Sequence, residues 1–180
     1  MKNKVNCFCD VETTGLDETI HGIWNIAFIL EYEGQILEEF SIKMNPETPI
    51  DLSAFKGEIP NIKSFEFIEN VVPKINMFLN DCTKKYGKLH FIAYNSKFDS
   101  KFVRALLVKF KLRWDNYFYS NDLCIMQLAG WKLKSIRASI KSFKLSEVCK
   151  LFEIEFDDSE AHDALYDIEK TIELYFKLIE

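Results

Sequence analysis

The sequence predicts an α/β domain, a mixed five-stranded sheet flanked by helices. Two observations carry that expectation. Apolar residues fall first in three strand-like runs, the second and third joined by a tight turn, and further strand-like runs then alternate with segments of helical period. The chain also has 180 residues, 48% of them hydrophobic and 16 of them Phe, enough for one substantial core. No internal repeat, linker or low-complexity stretch divides it, so residues 1–180 are read as a single domain.

Residues 5–10, with Cys7 and Cys9 flanking Phe8, read as the first strand. Residues 23–32 and 36–44 read as a hairpin around Glu33-Gly34-Gln35. Ile68, Val71, Val72, Ile75, Phe78, Leu79 and Cys82 make a helical stripe that stops near Gly87. Pro73 inside the stripe predicts a kink or a late start. Residues 89–94 read as a fourth strand, followed by a helix patterned on Phe98, Phe102, Ala105, Leu106 and Phe110. A fifth strand is expected at residues 117–119, and two more helices close the chain. The last of these carries Leu165, Ile168, Ile172, Tyr175 and Ile179 on one face.

Several classes are excluded. No apolar run approaches the ~18 residues needed to cross a bilayer. Met1-Lys2-Asn3-Lys4 leads directly into the first strand, with no signal-peptide core. The five cysteines, Cys7, Cys9, Cys82, Cys124 and Cys149, are odd in number and contain no C-x-x-C, so they are expected to pack as small apolar groups in a reducing compartment. A cytoplasmic location follows as the expectation.

Three acidic motifs stand out. Asp10-Val11-Glu12-Thr13-Thr14-Gly15 puts two carboxylates two residues apart, on one face of an extended segment, with a Gly to turn the chain after them. Such a pair is unfavourable unless a cation lies between the charges, and oxygen ligands suit Mg²⁺ or Mn²⁺ better than zinc. Ala93-Tyr94-Asn95-Ser96-Lys97-Phe98-Asp99 follows the fourth strand and opens a helix, where an Asp ordinarily just complements the helix dipole. His162-Asp163-Ala164-Leu165-Tyr166-Asp167 heads the last helix in the same way.

Together, Asp-x-Glu-Thr-Thr-Gly, Asn-x-x-Phe-Asp and His-x-x-x-x-Asp, in this order, resemble the DEDDh 3′→5′ exonucleases over essentially the whole chain. Asn45-Pro46-Glu47-Thr48-Pro49-Ile50 and Gly57-Glu58-Ile59 resemble that family's connection before its first long helix. Leu145-Ser146-Glu147-Val148-Cys149 resembles the helix leading to the last motif. The related DEDDy enzymes carry a Tyr four residues before the last Asp, where this chain has Asp163; His162 has the DEDDh spacing. One departure is Tyr94, at a position often occupied by His, which puts substrate contacts rather than chemistry in question.

The resemblance implies a ribonuclease-H-like fold with the first strand central. It further implies two Mg²⁺ (or Mn²⁺) ions held by Asp10, Glu12, Asp99 and Asp167, and His162 as the general base. An unperturbed imidazole pKa of ~6.5 suits that task. Thr13, Thr14, Gly15 and Leu16 are expected to cradle a terminal nucleotide, with Asn95 and Phe98 beside it. The expected products are nucleoside 5′-monophosphates, released from the 3′ end of single-stranded DNA, with RNA as the other candidate. His21 and His90 are expected to be structural or solvated.

The net charge of −5 looks wrong for a nucleic-acid enzyme, but it is unevenly spread. Residues 97–144 carry eleven basic side chains against three acids, so the remainder is strongly acidic. Within that stretch, Trp131 beside Lys132 and Lys134, with Arg137 close by, suits single-stranded nucleic acid. The alternatives left open are a non-catalytic module of the same fold that holds 3′ ends, and an interaction protein whose acids merely solvate a surface. The chain reaches Glu180 directly after the last helix, so a polymerase partner stays open but no binding tail for one is seen.

Overall fold

The computed structural model describes residues 4–54 and 60–180; Gly57, Glu58 and Ile59 of the expected connection lie outside the described residues. β1 (Asn6–Thr13), β2 (Ile23–Tyr32), β3 (Gln35–Lys43), β4 (His90–Ala93) and β5 (Leu123–Cys124) form one sheet in the order β3-β2-β1-β4-β5. β1 is central, as the resemblance implied. It pairs antiparallel with β2 and parallel with β4, and β4 pairs parallel with β5.

Alternation along the strands splits the core in two. Cys7, Cys9, Val11, Ile26, Phe28 and Leu30 face α1 (Ile68–Tyr86) and α2 (Ser96–Lys109). Phe8, Ala27, Ile29 and Ile92 face α3 (Ile125–Lys132), α4 (Leu145–Leu151) and α5 (Ala164–Ile179). All five cysteines are buried and unpaired, packed as small apolar groups. No helix among the described residues is long and apolar enough to cross a membrane.

The β2–β3 turn forms with Glu33 and Gly34 both at positive φ (51° and 83°), the signature of a two-residue type I′ hairpin. The buried Glu31 carboxylate accepts from Gly34 N at 2.6 Å and from Asn6 Nδ2 at 2.8 Å, which holds the turn against β1. α1 runs unbroken through Pro73, sacrificing one intrahelical hydrogen bond, and ends at Gly87 with φ 88°.

The fifth strand is not where the sequence placed it. At residues 117–119 the chain follows a 3₁₀ turn, Trp114–Asn116, and the N–H groups of Tyr117 and Phe118 bond back to Trp114 O. Their rings sink into the core beside Phe91, so only an isolated bridge, Leu89 to Phe118, joins them to the sheet. The ladder proper resumes at Leu123 and Cys124. α3 was also not anticipated, because eight residues give the helical period too little length to show.

Candidate active site

β1, β4 and β5 all run the same way, so their C-terminal ends lie at one edge of the sheet. β2 lies on the other side of β1 and runs the opposite way. Asp10 and Glu12 lie on the last rungs of β1, on the α5 face. α2 opens just beyond β4 and brings Asp99, whose Oδ1 accepts from Val11 N at 3.2 Å. α5 starts at the same edge: Asp163 is its N-cap, accepting from Leu165 N (3.1 Å) and Tyr166 N (3.3 Å), and Asp167 sits in its first turn. The position that distinguishes the two DEDD subfamilies therefore does a capping job here.

His162 precedes that cap with φ 72°, a left-handed conformation that non-glycine residues seldom adopt. Its Nδ1 lies 3.9 Å from Glu12 Oε1. Ligand-type atoms of Glu12, His162 and Asp167 all fall within 4.8 Å of one another. His162 is 58% exposed at its side chain and Glu12 20%, so solvent reaches the imidazole above a mostly covered carboxylate.

The electrostatics are those of carboxylates crowded together under cover. Burial, reinforced by Asp167, Asp99 and Asp163, pushes the Glu12 carboxyl up to about 8. Burial raises Asp99 to about 7, against the lowering pull of the Val11 N–H. Burial raises Asp167 to about 6, moderated by a backbone hydrogen bond from His162. Asp10 is held well above the ordinary carboxylate range by burial and then by Asp99, Glu12 and Asp167. Asp167 Oδ1 is buried with no hydrogen-bond partner. An orphaned carboxylate oxygen amid oxygen donors is what a hard divalent cation would satisfy, so the residues present fit such an ion.

The turn after Glu12 is locked from several directions. Thr13 Oγ1 donates to Gly15 O at 2.7 Å, and Thr14, fully buried, shares a 2.9 Å hydroxyl pair with Thr48. Gly15 has no positive φ; it is needed because a side chain there would collide with the His21 ring, which itself bonds Pro49 O through Nδ1 at 3.1 Å. Leu16 stands 64% exposed above this floor, and Lys101 Nζ clamps its carbonyl at 2.8 Å while pairing with Glu18 at 2.9 Å. Composition gave no sign of the Lys101 clamp; it arises because α2 passes beside the loop. The Asp163 cap was legible as an Asp directly before the last helical stripe.

Asn95 is exposed at the N-cap of α2, and half-buried Phe98 packs on Phe102 at 5.0 Å. The Tyr94 hydroxyl is committed to Phe143 O at 2.6 Å. His90 leans on Tyr119 with ring centroids 4.5 Å apart, as expected for a structural histidine.

Lys132 Nζ donates to Leu178 O at 3.2 Å, at the far end of α5. That carbonyl lies about 16 Å along the helix axis from Asp167, at 1.5 Å per residue. Lys134 lies over the Trp131 ring at 4.9 Å, and the Arg137 guanidinium lies over Phe143 at 4.3 Å.

Comparison with known proteins gives the family and supports the fold. Ribonuclease T of Shewanella denitrificans is 29% identical over 165 residues, covering 91% of this chain but 64% of that protein. The chain thus spans less than two thirds of that relative's length. Exonuclease I of E. coli, solved as a zinc-bound complex with single-stranded DNA, superposes with a TM-score of 0.77 at 20% identity, over 98% of this chain and 40% of that one. The nuclease domain of 3′hExo, a DEDDh family member bound to rAMP, gives 0.71 at 16% identity, over 98% of this chain and 92% of that one. The family model described as exonuclease, of the ribonuclease T type, matches residues 7–175. With that model spanning all three acidic motifs, the chain belongs to the ribonuclease T-type DEDDh exonuclease family.

Proposed function

We propose that the protein is a metal-dependent 3′→5′ exonuclease that removes nucleoside 5′-monophosphates from single-stranded nucleic acid, DNA foremost. The observation that carries this reading is the convergence of Glu12, Asp167 and His162 within 4.8 Å, beside Asp10 and Asp99. Asp10, Glu12, Asp99 and Asp167 would hold two divalent cations, Mg²⁺ or Mn²⁺. Bound there, the ions would make hydroxide from water and stabilise the departing 3′-oxygen. His162, solvent-reachable at the rim, takes the proton from the attacking water. The residue 13–16 turn receives the terminal nucleotide, with exposed Leu16 offering an apolar surface to its base and Asn95 and Phe98 on the facing helix.

The upstream strand would be held by exposed basic and aromatic side chains, Lys97 in the first turn of α2 and Trp131, Lys132, Lys134 and Arg137 further along the chain. Five buried thiols with no disulfide among them suit a reducing compartment, so the cytoplasm is the proposed location.

The deciding experiment digests 3′- and 5′-labelled single-stranded DNA and RNA with Mg²⁺ or Mn²⁺, alongside covalently closed single-stranded circles. Stepwise mononucleotide release from linear strands, with circles intact, is expected. Circles cut as readily as linear strands, or full activity in excess EDTA, would overturn the proposal.

A further inference from the structure

β2 reads Ile23-Trp24-Asn25-Ile26-Ala27-Phe28-Ile29-Leu30, an apolar strand interrupted by one amide. Asn is disfavoured in strand interiors, and a buried amide normally finds hydrogen-bond partners. Asn25 is 1% exposed, yet its Oδ1 has no partner. Its place in the sheet explains what it is for. The β1–β2 register pairs Asn25 directly with Glu12, so the two side chains leave the same face of adjacent strands. Cross-strand pairs of this kind set their Cβ atoms about 4.5–5.5 Å apart. The next pair on that face is Asp10 with Ala27, whose small side chain leaves the carboxylates room. The regular ladder shifts just after the Glu12 rung, where Trp24 is the additional residue on β2. Such irregularities re-aim side chains beside functional sites.

We propose that Asn25 is a positioning residue of the metal centre, its buried carboxamide orienting the Glu12 carboxylate for the cation. The inference rests on the reading that Glu12 holds a divalent ion. A carboxylate that gives one oxygen to a cation needs a donor to fix the other, and partners of this kind hold metal ligands in orientation. The carboxamide can supply it, because a half-turn about its last side-chain bond exchanges the carbonyl oxygen for an NH₂ donor. Strand propensity does not call for an amide between Trp24 and Ile26.

The test measures Mn²⁺ affinity by titration calorimetry and metal-free thermal stability for the wild type and Asn25→Val. Val removes an unmet polar group and suits a strand, so the metal-free melting temperature should hold or rise. Mn²⁺ binding should nevertheless weaken by about 10- to 100-fold, the usual effect of losing a partner of a metal ligand. With Mn²⁺ saturating, kcat on a labelled oligonucleotide should fall while KM holds. Asn25→Val with a raised melting temperature and unchanged Mn²⁺ affinity would overturn the proposal. Should the Val variant fail to fold, Asn25→Ala gives the same reading: weakened Mn²⁺ binding supports the role and unchanged binding overturns it. A wild type that binds no Mn²⁺ would instead overturn the metal reading beneath it.

Discussion

The two halves of the acidic cluster are built differently. On the α2 side, Asp99 is buried and already serves the fold, accepting from Val11 N at 3.2 Å. On the α5 side, Asp167 keeps one buried oxygen with no partner, next to an exposed His162 held at φ 72°. Both carboxyls are raised by burial and each accepts a backbone N–H. The Asp99 bond ties α2 to β1, whereas Asp167 bonds its neighbour His162 and keeps Oδ1 buried and unmet, the state expected of a group kept for a ligand. The contrast separates variants that damage the fold from variants that damage only chemistry.

The largest effect should come from the α5 half. Asp167→Asn is expected to abolish cleavage while leaving the metal-free melting temperature unchanged or higher, because it removes a charge that other carboxylates repel. Asp99→Ala should also abolish cleavage, but at a cost of about 1–3 kcal/mol in stability, since it strands the buried Val11 N–H. Thermal melts beside a cleavage assay check both. A stability loss for Asp167→Asn as large as that of Asp99→Ala would erase the distinction between the halves.

His162→Ala comes next, with a turnover loss of about 10²–10⁴-fold, typical of a missing general base. Its proximity to Glu12 and Asp167 leaves a second role, that of a ligand, to be separated. As a base, it should leave Mn²⁺ affinity nearly unchanged; as a ligand, its loss would weaken Mn²⁺ binding together with the rate. Calorimetry on the variant distinguishes the two.

A smaller effect concerns pH. Folding raises Asp167 to about 6, Asp99 to about 7 and Glu12 to about 8, all by burial first, from unfolded values of about 4. The folded state therefore binds more protons than the unfolded one between those limits. Stability from these groups is complete below about pH 4 and is lost as pH rises through 8. The metal-free melting temperature should fall across that window, by roughly 2–4 °C for each kcal/mol lost. Saturating Mn²⁺ should cancel the fall by supplying the counter-charge. A metal-free protein whose stability rises steadily from pH 5 to 8 would contradict the crowding of the four acids.

The smallest effect is expected at Lys132. Its ammonium is engaged by Leu178 O at the far end of α5, so Lys132→Met should leave single-strand cleavage unchanged. A marked loss, steepening at high salt, would mean that the bound strand extends to that end of the molecule.

Much of this was legible in the residue order. The alternation about Phe8 marked a buried strand, the family resemblance made it central, the stripe from Ile68 to Cys82 marked a long helix, and Glu33-Gly34-Gln35 marked the hairpin. Residues 117–119 misled because a β-propensity run of aromatics can equally plug a core. Trp114, Tyr117 and Phe118 did so around a 3₁₀ turn, and the ladder moved to Leu123. Charge composition likewise does not say which end of a helix a cation will meet, and the Lys132 ammonium meets the far end of α5.

By itself, the sequence determined the chemistry available: which acids recur, at what spacing, and that a histidine stands five residues before the last of them. Those features are local, because strand alternation and helix starts depend on neighbours in the chain. Only the tertiary structure decided that Asp99 is tied to β1 while Asp167 is left open, that Lys101 clamps Leu16, and that Asn25 lies opposite Glu12. Those relations join residues 13 to 88 positions apart or depend on a strand register, and a register is set when two faces bury together rather than by either strand alone.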